Sequence, residues 1–157
     1  MDLIVSITAI VAILSVAVIY GADVLAAVVL RPVYAAVDDR TLVQAVGRGH
    51  HVGDRRLPVV GVTGVVFTAL TTGLAFIAMS PVAGALAGCA LLLLLVWLGL
   101  FARVSKPINV RLSAAALADE VPIDARLLQD KWESIITVRA VIQGASVLLL
   151  CLTLVLI

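Results

Sequence analysis

Residues 101–140 read FARVSKPINVRLSAAALADEVPIDARLLQDKWESIITVRA, the longest polar interruption in a very apolar chain. Six of the eleven Lys and Arg residues fall in it: Arg103, Lys106, Arg111, Arg126, Lys131 and Arg139. Before it runs Val82–Ala102, which includes LLLLLVW; after it runs Ile135–Ile157. Each flank is about the 20 residues that a helix needs, at 1.5 Å per residue, to cross a hydrocarbon core of about 30 Å. Two such runs joined by a basic stretch predict two membrane-spanning helices connected on one side of the bilayer.

The composition agrees. With 63% hydrophobic and only 13% charged residues, the chain carries about half the charge of a soluble domain, which has about 25%. Its mean hydropathy is +1.21. The net charge of +1 supplies no concentrated basic surface, so a nucleic-acid partner is excluded. Cys89 and Cys151 lie in apolar runs, too few and badly placed for a disulfide framework or a zinc site, and are expected as packing residues. Neither metal nor cofactor is expected.

Two further spans lie upstream. Leu3–Leu30 is apolar apart from Ser6, Thr8, Ser15 and the group Tyr20, Gly21, Asp23. It lacks the basic n-region of a signal peptide, and its apolar stretch is too long for an h-region, so it reads as a first span. Arg31-Pro32 is expected to kink or end that helix. Asp38–Val46 reads as a short amphipathic helix, and the glycines of GRGHHVG (Gly47, Gly49, Gly53) predict a loop. Pro58–Met79 is the second span, with Pro58 expected in its first turn, and Ser80-Pro81 is a tight break. Gly84 and Gly88, four apart, share one face and permit close helix approach.

The predicted fold is all-α: an integral membrane four-helix up-down bundle in one domain, residues 1–157, with spans at about 3–30, 58–79, 82–102 and 135–157. Its two long connections, 31–57 and 103–134, contain short helices. All eleven Lys and Arg lie between Arg31 and Arg56 or between Arg103 and Arg139. The positive-inside rule places both connections in the cytoplasm and both termini outside, in a plasma membrane of bacterial type.

Counted from the outer ends, Asp23 and Arg139 fall at one depth, near the inner edge of the hydrocarbon. They read either as a pair framing a polar pocket or as separate interfacial anchors. Tyr20, Tyr34 and Trp97 fit interfacial or packing roles. His50, His51 and Asp54 form the only histidine cluster. It is open to three readings: metal ligands, proton transfer, or a solvated loop whose Arg55 and Arg56 meet lipid headgroups. Pro107 should distort the third helix and free a carbonyl near residue 103, a site for Asn109 or Arg111. Val121-Pro122-Ile123-Asp124 reads as a turn into a new helix. Trp132 and Arg139, seven apart, share a helix face and could clamp a flat, partly anionic molecule.

With Lys106-Pro107-Ile108-Asn109 after the third span and Trp132 followed by Arg139 at the start of the fourth, the chain resembles the anthrone-oxygenase-like family of small four-helix membrane proteins. The resemblance implies a pocket at the inner membrane edge, with Trp132, Lys106, Asn109 and Arg139 binding substrate. It also implies cofactor-independent oxidation, with Arg139 and Asn109 stabilising an oxyanion. Family members often carry a histidine between the Trp and the Arg; here that position is Ile136, which cannot abstract a proton. The base would then be His50, His51 or Asp23. The competing expectation is a non-catalytic binder of lipid or hydrophobic small molecules, acting as a homo-oligomer or beside another membrane protein.

Overall fold

A computed structural model describes residues 1–157. Four helices form the bundle: α1 (Asp2–Ala35), α2 (Asp39–Ile77), α3 (Pro81–Ala118) and α4 (Ala125–Val155). Each of α1 and α3 packs against both α2 and α4, so neighbours run antiparallel around a square. At 1.5 Å per residue the helices measure about 46–58 Å, well beyond a hydrocarbon core of about 30 Å. All four are apolar enough to cross a membrane. The excess length projects from the end of the bundle that carries every Lys and Arg, here called the basic end.

The packing is inverted relative to a soluble protein. Thr8, Thr68, Thr71, Ser146 and Thr153 are buried with small residues such as Ala12, Ala83, Ala87 and Ala90, whereas Leu3, Leu14, Val59, Leu92 and Leu148 point outward. Small residues let helix backbones approach closely where lipid already satisfies the large aliphatic side chains. The buried hydroxyls bond back to their own helices, Thr68 to the Gly64 carbonyl and Ser146 to that of Ile142. Thr71 also donates to Thr8 across the α1–α2 seam at 3.0 Å.

The polar stretches are mostly helical. The short helices expected in the connections are the protruding ends of the long ones, joined only through residues 36–38 and 119–124. GRGHHVG is helix rather than loop, and Pro58 lies well inside α2 rather than in a first turn. The reason is tertiary. The protruding part of α2 packs its Leu42, Val43 and Val46 against Ile108, Leu112 and Ala116 of α3, and that burial outweighs the weak helix propensity of the glycines. Gly47 permits the contact, since a Cβ there would lie 2.3 Å from the Leu112 carbonyl oxygen. Arg31-Pro32 does not end α1. A wide π-helical turn, Ala26–Leu30, precedes it and the helix continues to Ala35. A matching turn, Phe101–Ser105, precedes Lys106-Pro107 in α3, so the distortion expected from Pro107 takes that form.

Side chains fasten the basic end. Asp38 caps α2 by accepting from the Thr41 N–H at 3.0 Å and its hydroxyl at 2.6 Å, bonds that hold its carboxyl below the usual carboxylate range. Arg126 at the start of α4 donates to the Tyr34 and Val37 carbonyls and to Asp39. Arg40 and Gln44 reach Asp119, whose left-handed φ of 59° ends α3. Cys89 and Cys151 are not packing residues; both lie on the outer surface.

Candidate functional site

Where the protruding ends meet the apolar bundle, Asp23 of α1 and Arg139 of α4 form a buried, two-pronged ion pair. The guanidinium donates through Nη2 at 2.8 Å and through Nε at 3.2 Å. Its Nη1 donates to Ser105 Oγ at 2.7 Å. Asp23 also accepts from Trp97 Nε1 at 3.2 Å and Gln143 Nε2 at 3.3 Å. The rings of Trp97, Phe101 and Trp132 surround the guanidinium with centroids 5.5–5.8 Å away. A charge at this depth is tolerable only when paired and hydrogen-bonded, and here both members are.

Beside the pair lies a cavity of about 260 Å³, walled by all four helices. From α2 come Gly49, His50, Gly53, Asp54 and Leu57, one face of a helix at spacings of one turn. Gly49 and Gly53 have no side chain to fill it. From α3 come Phe101 and Asn109, and from α4 Gln129, Trp132, Glu133 and Arg139. The two π-helical turns help shape the wall, since Ala26, Leu30 and Phe101 on them are lining residues; such turns recur at functional sites.

Four buried side-chain polar atoms have no hydrogen-bond partner within the protein: His50 Nε2, Asn109 Oδ1, Gln129 Oε1 and Trp132 Nε1. All four residues line this cavity. Two of the atoms have a chemical identity fixed by their neighbours. Asn109 Nδ2 donates to the Asp54 carboxylate at 2.9 and 3.2 Å. Gln129 Nε2 donates to Glu133 Oε1 at 2.8 Å. A carboxylate only accepts, so each amide must present its oxygen to the other side. The indole N–H can only donate. The residues lining the cavity therefore hold two unmatched acceptors, one unmatched donor and one unmatched imidazole nitrogen.

Its charges are largely spoken for. Asp23 balances Arg139, Glu133 meets Arg31 at 3.3 Å, and Asp54, without a cation, is held by the Asn109 amide. Arg139 is thus not the free anion clamp expected from the sequence, and a neutral guest fits better than an anionic one. No group of three His, Cys, Asp or Glu side chains is placed to hold a metal ion.

His50 stands eight residues before Pro58, outside the apolar part of α2. Its ring packs on Trp132 with centroids 5.3 Å apart. Burial, helped by the nearby Arg139 charge, lowers its pKa to about 4. The imidazole should stay neutral in NMR titrations through pH 6. Because the unfolded chain binds that proton near pH 6.5, stability should be complete above pH 6.5. It should decline as pH falls toward 4 and level off below. A His50→Phe variant should flatten that slope in unfolding experiments.

Of the residues singled out in the sequence, the fold brings Asp23, His50, Asn109, Trp132 and Arg139 together. Two are excluded. Lys106 is exposed, and His51, one position along a continuous helix from His50, does not line the cavity. Asp23 is already held by Arg139, Trp97 and Gln143, which leaves it poorly suited to act as a base. Asn109 uses its N–H donors on Asp54, and the oxygen it shows the cavity cannot stabilise an oxyanion. Trp97, Ser105, Gln129, Glu133 and Gln143 were missed. The signal for the last three was present: Gln129 and Glu133 are four apart, Trp132 and Arg139 seven, and Arg139, Gln143 and Ser146 follow at four and three, spacings that set a polar stripe along one side of α4.

No family model matches the chain. Neither does any curated protein or solved structure.

Proposed function

We propose that this protein binds a neutral, hydroxylated, partly apolar small molecule in the cavity at its basic end. On the positive-inside rule that end faces the cytoplasm of a bacterial-type plasma membrane, with both termini outside. The observation that carries the reading is that all four residues with an unpartnered buried polar atom line one cavity. A buried polar group left unpaired costs about 1–3 kcal/mol. A guest hydroxyl can donate to an amide oxygen while accepting from the Trp132 N–H. A carbonyl or ether guest could serve Trp132 but would leave Asn109 and Gln129 unsatisfied.

The test compares hydroquinone with its dimethyl ether, a similar ring without donors, by calorimetry on protein in lipid nanodiscs. Hydroquinone should bind roughly tenfold or more tightly than the ether, and Gln129→Met should weaken it by about 2–12-fold, the worth of one hydrogen bond. Equal binding of the two probes would overturn the reading.

A second reading, oxidation of the anthrone-oxygenase type, is favoured by one specific feature. His50 lines the cavity with a neutral imidazole whose Nε2 has no partner in the protein, so α2 could supply the base that Ile136 cannot. Ile136 is fully buried and does not line the cavity. Removing a ring C–H proton would leave a carbanion that reacts with dioxygen. One oxygen atom would enter the ring as a carbonyl and the other would leave as water with both hydrogens. The Trp132 N–H would face the developing oxyanion. Lowered basicity disfavours the first step, and binding is therefore placed ahead of catalysis. Turnover of an anthrone without added metal or flavin, lost in His50→Phe, would promote this reading.

A further inference from the structure

The cavity does not stop at its polar lobe. A second lobe of about 240 Å³ adjoins it, and the two share Asp23, Asp54 and Arg139 as well as Ala22, Gly53, Leu57 and Phe101. Beyond these shared walls it is lined almost wholly by hydrocarbon, notably Pro58, Gly61, Val62, Val65 and Leu98. Its α2 wall runs from Gly53 to Val66, about 20 Å of helix, which suits a chain better than a second polar head. Val62, Val66 and Leu98 are each more than 40% exposed on the outer face of the bundle. They lie in the apolar part of α2 and α3, so this lobe faces lipid. Gly61 widens it, since nothing lies within 4 Å of where its Cβ would be.

We infer that the guest is an alkylated dihydroxyarene: a flat, neutral head with two hydroxyls in the polar lobe and a hydrocarbon chain reaching through the apolar lobe to the bilayer. This rests on the proposed function and adds the chain and the ring. Two amide oxygens require two donors on the head. Tyr34, His50, Phe101 and Trp132 give the polar lobe an aromatic lining suited to a ring. A chain explains why a polar site should be continuous with a slot that opens sideways into lipid, because the molecule could then slide in without its tail entering water.

The test uses decylhydroquinone, hydroquinone and monodecanoylglycerol on nanodisc-embedded protein, wild type against Gly61→Trp. The new side chain projects into the apolar lobe and should weaken decylhydroquinone by at least about tenfold, with chainless hydroquinone changed less than twofold. Gly61→Leu, a smaller plug, should give an intermediate loss, and unchanged thermal unfolding would show that both variants fold. Equal effects on both hydroquinones, or none on either, would overturn the chain. Monodecanoylglycerol binding as tightly as decylhydroquinone would overturn the ring. If chainless hydroquinone fails to bind the wild type at all, the proposed function fails, which is a separate result from failure of the Gly61 arm.

Discussion

Asp23→Ala should cost roughly 3–5 kcal/mol of folding stability, because it strands the Arg139 guanidinium, charged and unpaired, at the centre of the basic end. Much of that loss belongs to the survivor rather than to the bond. The guanidinium keeps Ser105 and three aromatic rings, but none of these neutralises it. Trp97 and Gln143 lose their acceptor at the same time. The double replacement Asp23→Met with Arg139→Met removes both charges and should recover a large part of the loss. Arg139→Lys alone should also destabilise, though less than Asp23→Ala, since an ammonium keeps the charge pair but cannot reproduce the fork that meets Asp23 and Ser105 together. Reversible unfolding in mixed detergent micelles measures all four proteins. An Asp23→Ala variant within 1 kcal/mol of wild type would contradict a buried, interdependent pair.

The second large effect separates two glycines that are two residues apart. At Gly47 an added Cβ would meet the Leu112 carbonyl oxygen at 2.3 Å and the Ala116 Cβ at 2.6 Å. Backbone cannot swing aside as a flexible side chain can, so α2 and α3 would have to separate. That would also stretch the 3.0 Å bond from Ser113 Oγ to the Gly47 carbonyl. Gly47→Ala should destabilise by about 1–3 kcal/mol, and Gly47→Leu by more. At Gly49 nothing lies within 4 Å, and alanine, the better helix former, should be neutral or stabilising by up to about 1 kcal/mol. Thermal unfolding of the pair reads the two signs directly. The same loss at both positions would mean that the glycines weaken α2 by propensity alone.

These two positions also show where the sequence was readable and where it was not. The four spans were legible because the hydrocarbon core imposes a length, and apolar runs that long are rare outside a membrane. The common depth of Asp23 and Arg139 was legible for a related reason, since depth along a straight helix can be counted from its end, but whether they pair or anchor separately depends on which way α1 and α4 turn toward each other. GRGHHVG was misread because glycine usually marks a turn. Here Gly47 serves a close helix contact, and Gly49 and Gly53 keep a cavity wall low, purposes visible only once α3 lies alongside. Pro58 misled in the same way, marking a lobe of the cavity inside a helix rather than a helix start. The partners of Asn109 and Trp97 depend on which helices are neighbours, a fact that local pattern does not contain. The polar stripe along α4 needed no neighbour to be seen.

The most direct measurement of the central claim, that the basic-end cavity is a ligand site, is competitive photoaffinity labelling with a diazirine-bearing hydroquinone in nanodiscs, followed by peptide mapping. Adducts on the cavity wall, residues 49–57 of α2 and 129–133 of α4, suppressed by excess unlabelled hydroquinone, are the expected result. Adducts spread over lipid-facing positions such as Leu92 and Leu148, unaffected by competitor, would contradict it.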